Sequence, residues 1–396
     1  MHANVNDIIE SVLSPFSYEQ FFDNILDQKP LVLTEDNNQR ESLAGQNPRQ
    51  QLLKGFAQYA PNLTSHSYAP KGPAPKARAV QSPDAFRELI QEYFDAGYTV
   101  RIPDVTDLSD SLTLFTRALE RQIQSAVNVV IFWSEQGGNA PIHHDEVDLI
   151  VIQLEGTKRW FISEEPPVLP NKWKSAGEKP PVMNNYHTVD VKPGDLIYLP
   201  RGTAHTVQST SESIHVAIGF VPVTIRDAIN AALDHYSELH KPLRMGLGPR
   251  GDCLTEQPNN PQIPEQIRHY LKRLSEACQD DAFIERALSR RKTRMIRELP
   301  KLPNSKSDQS ITLTTQVKHH PLAMSELTVT EDILDFCQPG EQIFIHLGAQ
   351  KCIEFIIKTP CFYVSDIPDQ INDDVKAALV DRLVTSGFLV VDTKKQ

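Results

Sequence analysis

The sequence predicts a mainly β fold with α content: a double-stranded β-helix of the jelly-roll type, then an α-helical region and a C-terminal winged-helix-like domain. Between residues 127 and 220, short β-branched and aromatic runs alternate with Gly and Pro turns, a pattern typical of antiparallel double-sheet folds. After Val223, apolar residues recur at three- and four-residue spacing, which is typical of helices. Beyond a polar segment at 303–310, strand and helix patterns mix. We therefore expect domains at 1–224, 225–300 and 301–396.

The individual elements follow from local signals. Ser17 followed by Gln20 is typical of a capped helix start. The runs Glu155-Gly156-Thr157 and Lys192-Pro193-Gly194-Asp195 mark turns between strands. Gly387 is expected to end the last helix. The sequence predicts helices at 112–124, 331–336 and 373–386, and strands at 127–133, 147–153, 158–162, 189–191, 196–199, 213–220, 342–347, 352–357 and 388–391.

Composition and charge narrow the classes of function. The formal net charge is −11, which disfavours a broad nucleic-acid surface. An acidic surface suits a basic partner, or it serves solubility alone. Residues 301–396 carry 9 Lys and Arg against 13 Asp and Glu, so we expect no DNA binding by this domain. No stretch approaches the ~20 apolar residues of a membrane span. Five scattered cysteines favour reduced thiols and a cytoplasmic location.

Two distant motifs together indicate a metal site. His143 and Asp145 lie in Pro-Ile-His-His-Asp, and His205 follows 62 positions later in Leu-Pro-Arg-Gly-Thr-Ala-His. Residues two apart in a strand point to the same side, so His143 and Asp145 are expected to reach one ion. Two imidazoles and one carboxylate cover one face of Fe(II) and leave the other face open. The alternative is that these histidines are ordinary surface or core residues.

A cation inside the barrel would complete an oxygenase site. The second carboxylate of 2-oxoglutarate needs a positive partner, and a buried ammonium needs an anion. Lys158 follows the Gly156 turn and is the favoured residue. Strand alternation lets only one of Lys158 and Arg159 point inward, so the alternative is that Lys158 reaches the surface and Arg159 binds the cosubstrate.

These motifs resemble those of a known family. The run Gln-Leu-Glu-Gly-Thr-Lys-Arg-Trp at 153–160, beside Ile-His-His-Asp at 142–145, resembles the JmjC-type ribosomal oxygenases, the cupin-4 group of ribosomal protein hydroxylases. The segment at 14–31 is similar to their entry segment, and the order of the three domains is also theirs. The resemblance therefore covers nearly the whole chain.

The resemblance implies a function and a set of site residues. It implies Fe(II) held by His143, Asp145 and His205, 2-oxoglutarate held by Lys158, and Asn128 lining the cosubstrate pocket. It also implies hydroxylation of a ribosomal protein side chain and homodimerisation through 225–300. The spacing of Asn128 to the metal motif is one residue longer than the family pattern. Ala217 and Gly219 stand where relatives often have hydroxyls, and His215 either lines the pocket or is a core histidine.

Other functions share parts of this pattern. An oxygenase acting on another protein or on a small molecule would use the same metal residues, and demethylation would use them as well. A non-catalytic cupin or winged-helix regulator is the alternative from a different class. It would show no 2-oxoglutarate turnover, and loss of His143 would leave its activity intact.

Overall fold

The computed structural model describes residues 5–67, 70–170, 181–246, 262–302 and 310–392. Most of the predicted 303–310 linker lies outside these residues. The chain divides into two compact units, Met1–Val221 and Pro222–Gln396. The further boundary at 300/301 stays a prediction. No described helix is both long and apolar enough to cross a bilayer.

The described residues of the first unit form ten strands and seven α-helices. The strands are β1 Leu31–Leu33, β2 Thr64–His66, β3 Thr99–Pro103, β4 Val127–Ser134, β5 Asp148–Glu155, β6 Lys158–Ser163, β7 Tyr186–Val191, β8 Leu196–Leu199, β9 His205–Ser209 and β10 Ser213–Phe220. The helices are α1 Val5–Leu13, α2 Tyr18–Asn24, α3 Asn38–Glu41, α4 Pro48–Lys54, α5 Phe56–Tyr59, α6 Pro83–Asp95 and α7 Asp110–Ile123.

The strands of this unit form two antiparallel sheets. One has seven strands in the order β1-β8-β5-β10-β4-β3-β2, and the other has three in the order β7-β6-β9. Strand β10 is buried along its whole length, between β5 and β4. Its unbroken run of buried residues is expected for a central strand that is covered on both faces. The predicted antiparallel fold is therefore confirmed.

The turn before β6 requires a glycine. Gly156 has φ +64°, and a Cβ at this position would lie 2.1 Å from the carbonyl oxygen of Glu212. Only glycine tolerates both this backbone conformation and this close approach. The turn thereby sets which side chains of β6 face the space between the sheets.

The second unit begins with helices and continues with two small sheets. Its elements are α8 Ile225–Leu239, α9 Gln262–Ala277, α10 Asp281–Glu298, β11 Gln316–His319, β12 Glu326–Val329, β13 Ile333–Gln338, β14 Glu341–His346, α11 Gln350–Lys358, β15 Cys361–Tyr363, α12 Asp373–Thr385 and β16 Leu389–Val391. The sheets have the orders β15-β11-β16 and β12-β13-β14.

Two predictions in this unit are wrong. The expected helix at 331–336 is strand β13, whose Leu334 and Phe336 alternate into the core. The expected strand at 352–357 is helix α11, which buries Cys352, Ile353 and Ile356 on one face. Both are short apolar runs, which periodicity alone cannot assign. Burial against neighbouring elements decides the outcome.

Candidate metal centre and cosubstrate cavity

Three predicted residues converge at one point between the sheets. Ligand atoms of His143, Asp145 and His205 all lie within 4.8 Å of one another. Asp145 Oδ2 is 4.0 Å from His143 Nε2 and 3.5 Å from His205 Nε2. Such spacing allows one small cation to contact all three groups. His143 and Asp145 are partly exposed, whereas His205 is buried.

Backbone pairing, rather than strand alternation, brings the two histidines together. His143 and Asp145 lie in the loop after β4 and not in a regular strand, so that part of the sequence argument is wrong. His143 forms an isolated bridge with His205: His143 N donates to His205 O at 3.0 Å, and His205 N donates to His143 O at 2.8 Å. This bridge extends β9 and fixes the two imidazoles side by side, with ring centroids 4.3 Å apart.

Both imidazoles are oriented by carbonyl groups. His143 Nδ1 lies 2.8 Å from the oxygen of Pro141, and His205 Nδ1 lies 2.9 Å from the oxygen of Thr203. A carbonyl can only accept, so each Nδ1 carries a proton, and in the neutral ring Nε2 then presents a lone pair. This arrangement of outer partners is typical of metal-binding histidines.

The electrostatics favour neutral histidine in the centre. Burial, and next the neighbouring His143, lower the pKa of His205 to about 4, although Asp145 acts in the opposite direction. His205 is therefore unprotonated at neutral pH. The neutral imidazole is the form that binds metals.

Lys158 lies in the interior and has no acidic partner within the part of the chain that the structure describes. Its side chain is 2% exposed, and Nζ donates to Ser134 Oγ at 3.0 Å. Ser134 Oγ in turn accepts from Thr99 Oγ1 at 3.1 Å. Burial lowers the pKa of Lys158 to about 7. A buried amine surrounded by hydroxyl groups is prepared to receive a carboxylate.

Arg159 points to the opposite side of β6. It is exposed and forms an ion pair with Asp190 at 2.7 Å. The structure therefore places Lys158, and not Arg159, in the interior between the sheets.

The triad and Lys158 line the same cavity. Its volume is about 380 Å³, a size suited to a small organic molecule together with part of a larger one. The cavity walls come from both sheets and include Asn128, Ala217 and Gly219. Asn128 lies six residues from Ser134 along β4, which corresponds to about 20 Å at the usual rise of a strand. The structure does not bring Asn128 to the Lys158 end.

A row of aromatic rings forms the wall between Lys158 and the triad. The rings of Phe132 and His215 stack at 4.9 Å, Trp160 lies 5.8 Å from His215, and Trp160 stacks on His205 at 5.7 Å. Neither His215 Nδ1 nor Trp160 Nε1, both buried, has a hydrogen-bond partner among the residues that the structure describes. His215 lines the cavity, which favours the pocket alternative over a core histidine with all its hydrogen bonds made. These unpartnered atoms indicate that the cavity is built for a polar ligand.

Several residues of the cavity are not among those that the sequence predicts. Ser134 and Phe132 share the inward face of β4 with Asn128, so the alternation of this strand could have indicated them. His66 and Arg101 also line the cavity, from β2 and β3, and no motif marks them. Burial, and next Arg101, lower the pKa of His66 to about 4.

Comparison with known proteins agrees with this geometry. Residues 108–228 match the family model described as JmjC domain. The chain carries a JmjC domain. The matched range includes the triad and Lys158, and it agrees with the JmjC part of the resemblance. It covers less than a third of the chain.

Individual relatives extend the comparison. The bifunctional lysine-specific demethylase and histidyl-hydroxylase NO66 of Dictyostelium discoideum is 25% identical over 249 residues, covering 60% of this chain and 47% of that protein. Ribosomal oxygenase 2 of Mus musculus is 27% identical over 225 residues, covering 54% of this chain and 47% of that protein. The chain thus spans about half the length of the curated relatives it matches.

The solved structures show a shared fold. YcfD, a ribosomal oxygenase from Escherichia coli in complex with cobalt and 2-oxoglutarate, superposes with a TM-score of 0.51 at 17% identity. The superposition covers 96% of this chain and 99% of the YcfD chain. A second structure of Escherichia coli ycfD has a TM-score of 0.51 at 15% identity, covering 95% of this chain and 98% of that chain. The JmjC domain therefore lies in a chain of YcfD-like fold.

The buried amine of Lys158 leads to a prediction about stability. Its folded pKa of about 7 lies below the unfolded value of about 10.4. Below pH 7, Lys158 is protonated in both the folded and the unfolded state, so burial of its charge lowers the free energy of unfolding by the full amount. This loss shrinks as pH rises toward 10, because the amine becomes neutral in both states. Lys158→Met is expected to raise the melting temperature at pH 6.5 by a few degrees and to raise it much less at pH 9.5. The measurement is thermal unfolding followed by circular dichroism.

Lys192→Met is the matched control, since Lys192 is an exposed lysine paired with Asp36 at 2.8 Å. It is expected to give no pH-dependent gain. A lower melting temperature for Lys158→Met at both pH values would contradict the unpaired buried charge.

Proposed function

We propose that the protein is an Fe(II)- and 2-oxoglutarate-dependent oxygenase that hydroxylates a protein side chain. The observation that carries this proposal is the convergence of two imidazoles and one carboxylate in a cavity that also holds an unpaired buried lysine. The JmjC match over the same residues supports it. Among the described residues, Lys158 has a hydroxyl partner but no acidic one, and two ring nitrogens of the cavity have no hydrogen-bond partner, which a purely structural cluster would not leave.

His143, Asp145 and His205 would hold Fe(II). Their two nitrogens and one oxygen are the donor set that such iron sites use, and each Nε2 is free to bind. When bound, Fe(II) and 2-oxoglutarate would supply, with O₂ as the oxidant, the hydroxylation of an unactivated C–H bond; one oxygen atom enters the product and the other enters succinate as 2-oxoglutarate loses CO₂. The protein contributes the orientation of the reactants and the exclusion of bulk water.

Lys158 would bind the remote carboxylate of 2-oxoglutarate. Its Nζ already donates to Ser134, and further donor capacity remains for a carboxylate. Trp160 Nε1, a buried donor without a partner, lies on the wall between this end and the triad. A carboxylate here would raise the pKa of Lys158 and keep the ammonium protonated. We propose that Asn128 lines the same cavity farther out, toward the substrate.

A basic protein, and specifically a ribosomal protein, is the proposed substrate. Support comes from the names of the relatives, two of which are ribosomal oxygenases, and from the net charge of −11. An acidic protein attracts a basic partner over long range. An oxygenase for another protein or for a small molecule would keep the same metal residues.

We also propose a cytoplasmic location and a winged-helix-like C-terminal domain. Cys278, Cys337, Cys352 and Cys361 are free thiols, which supports a reducing compartment, while Cys253 lies outside the described residues.

Helices α11 and α12 share a core with the β15-β11-β16 sheet, which supports the winged-helix assignment. The acidic balance of this domain still argues against DNA binding.

The catalytic proposal is tested by product formation. Purified protein with Fe(II), 2-oxoglutarate and total ribosomal proteins is expected to release succinate and to add one oxygen atom to a single protein, as detected by mass spectrometry. His143→Ala and His205→Ala should each lose more than the ~10–100-fold that loss of an outer partner costs. His144→Ala, next to the triad but outside it, should retain activity.

The outcomes separate the alternatives. Succinate release without hydroxylation of any ribosomal protein would contradict the substrate class and leave the chemistry intact. Absence of 2-oxoglutarate turnover under all conditions would favour the non-catalytic regulator.

Homodimerisation through residues 225–300 is a further part of the proposal. Ile225 and Ile229 are 79% and 58% exposed, and together with Leu233 they form one apolar stripe on α8. Ile267 and Leu271 form a similar stripe on α9. Contiguous exposed apolar surface of this kind is typical of a protein interface.

Light scattering tests the dimer. At micromolar concentration the unaltered protein should have twice the mass of one chain, and Ile229→Glu should shift it toward the monomer because a charge would be buried in the interface. Val375→Glu, at an exposed apolar residue of α12, should remain dimeric. A monomeric unaltered protein would rule out this assembly.

A further inference from the structure

The turn before β9 holds two of the three metal-binding residues through its backbone. Gly202 N donates to Asp145 O at 2.8 Å, and the carbonyl of Thr203 accepts from His205 Nδ1 at 2.9 Å. Asp145 and His205 come from different segments, so this turn is a common support for both. A shift of the turn would move both ligand groups.

The side chain of Arg201 links this turn to two other segments of the chain. It is 7% exposed, and Nη1 donates to Asp148 Oδ2 at 2.8 Å and to Asp27 Oδ1 at 2.5 Å. Tyr198 closes the network: its hydroxyl donates to Asp148 Oδ1 at 2.8 Å and accepts from Asp27 N at 3.0 Å. The guanidinium of Arg201 thereby joins the segments of Asp27 and Asp148 to the turn.

The turn is closely packed as well as linked to this network. Gly202 has φ +82°, and a Cβ there would lie 2.8 Å from the backbone nitrogens of Val168 and Leu169. The turn is therefore closely packed on its outer side. Leu169 N also donates to Arg201 O at 3.3 Å. The Arg201 side chain adds a separate link, because its planar guanidinium with several donors binds two carboxylates at once.

We propose that Arg201 is a positioning residue for the metal centre. Together with Asp148 and Asp27 it holds the turn at 200–203 in the one position from which Gly202 and Thr203 align Asp145 and His205. This inference rests on the proposed metal site. It extends the site to a buried charge network that touches neither the metal nor the cosubstrate.

Arg40 provides a matched control for a merely structural arginine. It is fully buried and donates to the carbonyls of Val12, Ser14, Glu35 and Gly194. None of these groups contacts the triad. Arg40→Met should therefore lower stability without changing the geometry of the metal centre.

The experiment is titration of the metal-free full-length protein with Co²⁺, followed by visible absorbance, with a thermal melt of each variant. Arg201→Met is expected to weaken Co²⁺ binding about 10–100-fold and to alter the absorption spectrum. Arg201→Lys should recover part of the affinity, because one ammonium can still reach a carboxylate. Arg40→Met should lower the melting temperature and keep Co²⁺ affinity within about twofold of the unaltered protein.

A milder variant covers the case in which Arg201→Met does not fold. Asp27→Asn removes one charge at the partly exposed edge of the network and should show a smaller loss of Co²⁺ affinity in the same direction. Unchanged affinity in the Arg201 and Asp27 variants, or an equal loss in Arg40→Met, would overturn the positioning role. Absence of Co²⁺ binding by the unaltered protein would instead reject the metal site itself, and the inference with it.

Discussion

The pair of backbone hydrogen bonds between His143 and His205 is the interaction on which the site depends. These bonds join segments 62 positions apart and place two imidazoles next to one carboxylate. Because main-chain groups make the connection, the ligand side chains are positioned before any ion binds. Such preorganisation reduces the ordering cost of binding. The carbonyls of Pro141 and Thr203 then set the tautomers, so the same backbone controls both position and chemistry.

Desolvation is the second constraint on this centre. The space between the sheets removes water from His205, His215 and Lys158, and burial is the largest cause of the lowered pKa of each. Loss of charge suits the histidine in the metal site, since the neutral ring binds a cation. The same burial lowers the free energy of unfolding, because Lys158 has no acidic partner among the described residues. Sites that break the rules of stable packing in this way are commonly functional.

Local patterns were sufficient to predict the central strands, and two motifs pointed to the three residues whose ligand atoms the fold brings together. Strands β8 and β10 have the expected bounds, because continuous apolar runs between turn residues are strong signals. Assignments at 331–336 and 352–357 failed, since tertiary burial decides short apolar runs. The support of Lys158 by Ser134, and of Asp145 by Gly202, depends on which strands and turns become neighbours. That pairing is not encoded in any single motif, and so the second layer of the site emerges only with the fold.

We infer that His143, Asp145, His205 and Lys158 form a single site that binds Fe(II) and 2-oxoglutarate together. Its most direct test is anaerobic titration of the metal-free protein with Fe(II) in the presence of 2-oxoglutarate, monitored by the visible charge-transfer absorbance of the chelated iron. The expected result is one iron per chain, an absorbance that requires both components, and a much weaker 2-oxoglutarate dependence in Lys158→Met. Iron binding that 2-oxoglutarate leaves unchanged, or an absorbance that persists without His205, would contradict the claim.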